Sequence, residues 1–430
     1  MSKRLNKANK VRELQRKLYL KSKREPKFRF YVLYDKIRRM DFLKEAYKRV
    51  KANKGAPGVD NVDFEDIESR GVDDFLKEIQ EALYRKTYKP SPVLRVYIPK
   101  PKGGRRPLGI PTIRDRVVQA SFKLVLEPIF EADFARSSFG YRIKKSAHDA
   151  VREILKYLNW GCHKVYDVDL SKYFDTVDHG KLMKLIAMRI ADSNILRVIK
   201  QWLSCGYVED GRHQTPKQGT PQGGVISPLL ANIYLNPMNR AMDRSGLKKK
   251  CNGSVHIVSY ADDFVLLANH NLETGKRIVH HYLSRLGLKI NETKTSEFSV
   301  TDKGTLEFLG FRFIRTVNAK KGTKFFLVMP SRNALLSVMA KLRKCINHLH
   351  PVPIKEQIQR ANAVIRGWVN YFGLGNASST FNKLRWYTNR RVRRVLQRWR
   401  KRRGYGYLRY TSDFLYGKLG LFYQYRVIPL

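Results

Sequence analysis

Along the first three quarters of the chain, short apolar runs alternate with amphipathic stretches; from about Ser331 the pattern becomes wholly helical. Residues 1–40 read as a basic helical arm with Val11, Leu14, Leu18 and Tyr19 on one side, interrupted at Pro26. Residues 41–50 make a short amphipathic helix that ends in the loop 53–60. Residues 93–99 read as a strand leading through a glycine-bearing turn, 102–105, into 107–111. Helical periodicity follows over 114–134, after Ser146 and across 179–205, with a strand at 164–170. A Ser-Pro pair opens a helix over 227–242. Then come two short apolar strands around Asp262 and Asp263, a helix near 274–286, and strands around 307–314 and 324–328.

Past Ser331, Ile358, Ala361, Ile365, Trp368, Val369 and Phe372 recur at spacings of three and four, which gives one apolar stripe. Phe381, Leu384, Thr388, Val392, Val395, Leu396 and Trp399 repeat it. Arg390, Arg391, Arg393, Arg394, Arg398 and Arg400 fall largely off that stripe, where they suit a bundle that grips phosphates.

Composition sharpens this picture. A chain of 430 residues with 43% hydrophobic content has enough apolar surface for two or three packed cores. Lys and Arg number 85 against 37 Asp and Glu, and the resulting charge of +48 calls for a polyanionic partner. The excess is uneven: residues 1–40 carry 15 basic and 3 acidic side chains, residues 331–430 carry 21 and 2. Interleaved Tyr, Trp and Phe fit nucleic acid, with cations on phosphates and rings on bases. The four cysteines are too scattered for a disulfide framework or a zinc site. No apolar run approaches a membrane span and no signal-peptide core is present, so a cytoplasmic chain without a membrane partner is expected.

The candidate chemistry centres on Tyr260-Ala261-Asp262-Asp263, set between the runs 255–259 and 264–268. Two adjacent carboxylates at the tip of a buried hairpin repel each other and lose hydration unless a positive group neutralises them. Mg²⁺ suits hard oxygen ligands of this kind. Taken alone, a solvated Asp-Asp turn explains the same residues. Two-ion phosphoryl chemistry needs a further shared carboxylate, the ions lying about 3.5–4 Å apart. Asp169 ends a strand and shares a face with Asp167, which makes it the best candidate. Asp175 and Asp178 are assigned to helix capping.

Three blocks occur in order: Asp169-Leu170-Ser171-Lys172-Tyr173-Phe174-Asp175, then 219–232 (Gly-Thr-Pro-Gln-Gly-Gly-Val-Ile-Ser-Pro-Leu-Leu-Ala-Asn), then Tyr260-Ala261-Asp262-Asp263. Together they resemble the palm motifs of reverse transcriptases, specifically those encoded within bacterial group II introns. The stretch 53–60 resembles the N-terminal extension motif of these enzymes, with Asn61 where Gly commonly follows. Residues 97–112 resemble their fingers hairpin; 138–142, 288–295 and 308–311 resemble further blocks; 365–372 resembles the maturase, or thumb, signature.

This resemblance implies an α+β right-hand polymerase, fingers and palm with an antiparallel palm sheet, followed by an all-helical thumb. The implied domains are a basic arm at 1–40, fingers and palm at 41–320, a thumb/maturase domain at 321–404 and a C-terminal tail at 405–430. Asp169 and Asp262 would ligate two Mg²⁺ ions, assisted by the Leu170 carbonyl and Asp263. Lys100 and Arg106 would hold the incoming dNTP, Phe174 would exclude a 2′-hydroxyl, Gln222 would lie near the nascent base pair, and Lys294 would add positive charge. Leu309 and Gly310 would grip the primer, and Arg366, Arg390, Arg394 and Arg398 would bind RNA. The implied partners are group II intron RNA, an RNA template with a DNA primer, and target DNA. RNA-directed DNA synthesis with maturase activity is the expected function. The alternatives are a reverse transcriptase recruited to host defence or a CRISPR system, and an RNA-binding splicing factor with a vestigial site. Many members of that family carry a C-terminal endonuclease marked by paired histidines and cysteine pairs; the sequence reaches Leu430 with neither mark in its C-terminal part, so that domain is expected to be absent. The tail's Tyr and Leu content predicts docking onto the protein.

Overall fold

The computed structural model describes every residue except 1, 100–102, 216–217, 221–222, 246–253 and 302–303; for 2–9 it describes the backbone alone. The chain forms two compact units. One comprises 1–146, 166–266 and 271–296; the other comprises 147–165, 267–270 and 297–430.

The first unit is mixed α/β. Its core helix, Ile113–Glu131, is buried along almost its whole length and packs against Ser2–Arg24 and Met40–Ala52. A buried carboxylate anchors the start of that helix. Asp115 accepts from the Tyr88 hydroxyl at 2.6 Å, the Thr112 hydroxyl at 2.9 Å and the Ser91 amide at 3.0 Å, and Trp202 Nε1 donates to Tyr88 in turn. Burial raises the Asp115 pKa, and these donors offset part of that rise.

Just before this helix, Val93–Pro99 pairs antiparallel with Arg105–Ile110 and parallel with Tyr207–Glu209. The loop 53–60 lies against the end of this hairpin, where Arg116 donates to the Pro111 and Ala56 carbonyls. A Cβ on Gly58 would stand 2.7 Å from the Thr112 backbone, so only glycine permits that approach. A second sheet places Asp263–Ala268 between Val255–Tyr260 and Lys164–Val168.

The single helical run expected over 179–205 is two helices, His179–Ala187 and Ser193–Ser204. The break has a cause: Ile190 bridges to Phe30, and Asp192 caps the second helix through the Asn194 and Ile195 amides. The other Asp192 oxygen takes the Leu33 and Tyr34 amides. Asp178 caps His179–Ala187 as expected, but Asp175 lies inside the one-turn helix Tyr173–Thr176 and caps nothing.

The second unit begins with an antiparallel sheet of Thr305–Phe308, Phe311–Val317 and Lys324–Pro330, with helix Ala147–Asn159 against it. One strand was expected over 307–314; Leu309 and Gly310, at φ of 52° and 77°, fold it into two. Helices Arg332–Cys345, Ile354–Phe372 and Ser378–Trp399 follow; most of their stripe residues are buried, but Trp368 is half-buried and Trp399 is exposed, its indole nitrogen donating to the His348 carbonyl. The tail docks as expected. Asn362 clamps it through the Gly420 carbonyl and the Phe422 amide, Ile428 bridges to Leu374, and Leu415 and Leu421 are buried.

Two arginines expected on the open face are structural. Arg393 is buried and donates to the Tyr410 carbonyl at 2.7 Å, and Arg391 donates to the Ile346 carbonyl at 2.8 Å. No described helix is long and apolar enough to cross a membrane. Among the described residues Cys162, Cys205 and Cys345 form no disulfide.

Candidate active site

The acid pair sits where the sequence placed it. Val255–Ser259 and Phe264–Ala268 are buried on both faces, and Ala261 at φ 59° turns the chain between the strands. The segment 137–139 runs alongside: Phe139 donates to the Ser259 carbonyl at 2.8 Å, and Ser259 donates back to Ser137 at 2.9 Å. A Cβ on Gly140 would meet the Ala261 nitrogen at 2.4 Å, so the backbones touch. Arg142 locks this segment by forking onto Glu131 and reaching the Ala135 and Ser138 carbonyls.

Asp169 follows the strand Lys164–Val168 and is pinned by its own backbone. Its carbonyl accepts from the Asn291 amide at 2.8 Å, its amide donates to the Thr295 hydroxyl, and neighbouring Leu170 bridges to Ile290. The Lys294 ammonium lies 3.1 Å from Asp169 Oδ2. The block 288–295 therefore both positions and partly neutralises this carboxylate.

The three acids share one field. Desolvation raises Asp262, with Asp169 adding to it and Arg106 opposing it. Asp263 is open to solvent at its surface, yet protein crowds its carboxylate. That desolvation, with Asp262, Asp169 and Asp167 behind it, pushes Asp263 up to about 6. Burial and Asp169 push Asp167 to about 6 as well. Among the described residues no group of three or more His, Cys, Asp or Glu closes tightly enough to hold an ion. The donors are nevertheless hard oxygens whose mutual repulsion a cation would relieve, and in chemistry they fit Mg²⁺.

Phe174 is buried on the one-turn helix that follows Lys172 at φ 48°, edge-on to Tyr173 with ring centres 5.4 Å apart. Its carbonyl accepts from the Thr220 amide at 2.7 Å, and a Cβ on Gly219 would crowd the Phe174 and Asp175 carbonyls at 3.0 Å. Gly223 makes a similar approach, its virtual Cβ 2.3 Å from the Gly109 carbonyl oxygen. The glycines of this block thus join the Asp169 segment to the 93–110 hairpin. Lys100 and Gln222 lie outside the described residues.

Of the remaining expectations, Leu309 and Gly310 form a tight turn in the second unit, where the Tyr371 hydroxyl donates to the Leu309 carbonyl. Arg366, Arg394 and Arg398 are exposed; Arg390 is half-buried. No role had been assigned to Tyr141. It is half-exposed at φ 55°, and after desolvation the Asp262 charge is the main cause raising its phenol. Its signal in the sequence was its place in the block 138–142 that resembles the family, which gave it no role of its own.

A family model described as reverse transcriptase (RNA-dependent DNA polymerase) matches residues 98–313, and one described as group II intron, maturase-specific domain matches 335–411. The Escherichia coli (strain K12) Protein YkfC is 34% identical over 372 residues, covering 78% of this chain and 97% of that protein. The Lactococcus lactis subsp. cremoris group II intron-encoded protein LtrA is 36% identical over 212 residues, 49% of this chain and 35% of LtrA. An uncharacterized 91 kDa protein in the cob intron of Schizosaccharomyces pombe is 27% identical over 402 residues, 77% of this chain and 49% of that protein. Residues 98–313 thus place the chain in the reverse transcriptase class of polymerases. The chain is a member of the group II intron-encoded reverse transcriptase/maturase family.

Proposed function

We propose that the chain extends a DNA primer along an RNA template at the site built from Asp169, Asp262 and Asp263, and assists splicing and mobility of a group II intron RNA. The observation that carries the catalytic reading is the shared field of these three carboxylates, drawn from two separated chain segments and faced by Lys294 and Arg106. Asp169, Asp262, Asp263 and the Leu170 carbonyl would hold two Mg²⁺ ions. When bound, these supply activation of the primer 3′-hydroxyl and neutralisation of the leaving pyrophosphate. Arg106 and Lys294 place fixed positive charge where the triphosphate develops negative charge. Phe174 shapes the floor under the sugar, and the Leu309-Gly310 turn steadies the primer strand.

In domain terms, 41–320 would serve as fingers and palm and 321–404 as thumb. The basic arm and the exposed Arg366, Arg394 and Arg398, with Arg390, would hold folded RNA through phosphates and shape. Steady-state primer extension on an RNA template tests the core of this reading. Asp262→Ala and Asp169→Ala should abolish synthesis while RNA affinity stays within a few fold of the unsubstituted chain. Undiminished synthesis by either variant would falsify the metal assignment.

A further inference from the structure

In the second unit, cations and aromatic rings alternate on an exposed surface. The Arg390 guanidinium lies between two rings, 4.7 Å from the centre of Trp386 and 4.3 Å from that of Tyr405. Tyr405 leans on Tyr407 with ring centres 5.8 Å apart, and Arg393 backs Tyr407 at 4.8 Å. Arg393 is fixed from below by its hydrogen bond to the Tyr410 carbonyl, so the stack stands on a buried base. Its outer members remain open: Trp386 is 59% exposed, Tyr407 54%, and Leu408 next to it 99%.

The charge around the stack is one-sided. Between Glu356 and Asp413 the chain has no carboxylate and 14 Lys and Arg residues. An occupant must therefore be polyanionic and must also offer flat π faces to the open rings. A duplex meets only the first condition, because its bases are stacked on each other and present edges and phosphates. An acidic peptide would satisfy the charge and leave the rings bare. Unpaired nucleotides satisfy both.

We propose that Trp386, Arg390, Tyr405 and Tyr407 form a stacking site for unpaired nucleotides of RNA. This rests on the reading that the helical unit binds RNA, and it assigns to that unit a preference for single strands. Trp386 and Tyr407 contribute the open faces on which bases rest. Arg390 holds Trp386 and Tyr405 in line, and its charge faces the neighbouring phosphate.

The test uses the full chain and fluorescence anisotropy with three probes of about 12 nucleotides, a length within the range of single-strand binding sites: an unstructured RNA, the same RNA as a duplex, and the same sequence as single-stranded DNA. Trp386→Ala and Tyr407→Ala should each weaken single-stranded RNA binding by about 5-fold or more, while duplex RNA affinity changes less than about 2-fold. Trp386→Phe and Tyr407→Phe should restore binding, since phenylalanine still stacks. The salt dependence of Trp386→Ala should match that of the unsubstituted chain, because no phosphate contact has been removed. Single-stranded RNA should also quench tryptophan emission, less so in Trp386→Phe, a readout that does not depend on an alanine variant folding. Equal losses on single strand and duplex, or no loss on either, overturn the proposal; single-stranded DNA binding as tightly as RNA overturns the assignment to RNA. Primer extension by the unsubstituted chain reports separately on the polymerase reading.

Discussion

Lys294 sets its ammonium 3.1 Å from Asp169 Oδ2, so one of the acids of the site already carries a cation supplied by the chain. Any metal that takes Asp169 must displace or share that contact. Both side chains are partly exposed, which limits such a pair to about 0.2–1 kcal/mol. Lys294→Met should therefore lower the Mg²⁺ concentration for half-maximal primer extension by up to about 5-fold, the same energy expressed as a ratio. A metal titration of the variant beside the unsubstituted chain checks this, and an unchanged midpoint would show that the ammonium does not compete.

The raised acids also set a pH dependence. Asp263 and Asp167 titrate near 6 in the folded chain against an ordinary 3.8. A carboxyl raised on folding favours the protonated native state, so its contribution is complete below about pH 4 and is lost as pH rises through about 6. In EDTA, the melting temperature of the unsubstituted chain should fall over that window relative to Asp263→Asn, which lacks one of the two titrations. Adding Mg²⁺ at pH 7 should recover stability through binding to the ionised carboxylates. Parallel melting curves for the two proteins would contradict the assignment.

Gly140 tests how tightly the hairpin is held. A methyl there would meet backbone, 2.4 Å from the Ala261 nitrogen and 2.9 Å from the Tyr260 carbonyl carbon. Backbone cannot rotate away, so Gly140→Ala should cost about 1–3 kcal/mol of stability, as overpacking does elsewhere. A displacement of the acids by 1 Å costs about 10²-fold in rate, so kcat should fall far more than the melting shift alone explains. Thermal melting and single-turnover extension measure the two effects separately.

Phe174 provides a test of sugar selection. Replacing it with Val opens space over the one-turn helix without touching the Thr220 amide bond to the residue 174 carbonyl. Incorporation of ribonucleotides should rise relative to deoxynucleotides, read as the ratio of kcat/KM for the two. An unchanged ratio would remove Phe174 from the recognition of the sugar.

The elements that sequence periodicity located were those whose apolar positions decide their own conformation. The two strands flanking Asp262, the core helix after Thr112 and the stripes through Ile358 and Phe381 are of this kind. Breaks set by distant partners were not legible. Nothing near Ile190 announces that Phe30 will pair with it, and nothing in the run of arginines marks Arg393 as the buried one. The adjacent acids drew notice because clustered charge is costly in apolar surroundings, but the turn alone read equally well as solvated, and only the ordered blocks around it pointed to chemistry. Tyr141 drew no such notice, because a tyrosine in a loop carries no comparable cost until the backbone brings it to Asp262.

The order in which the two units receive their residues has a consequence during synthesis. The first unit has its last residue by Ser296, so it can close while the rest of the chain is still on the ribosome. Helix Ala147–Asn159 belongs to the other unit, and most of that unit lies beyond residue 297. The helix meets its native neighbour, strand Lys324–Pro330, only after that strand has been made. At about 5–20 residues per second, the interval before the sheet 305–330 emerges is on the order of ten to thirty seconds. For that time the nascent chain is a natural client for a chaperone, and slowing translation just after residue 160 should increase its aggregation.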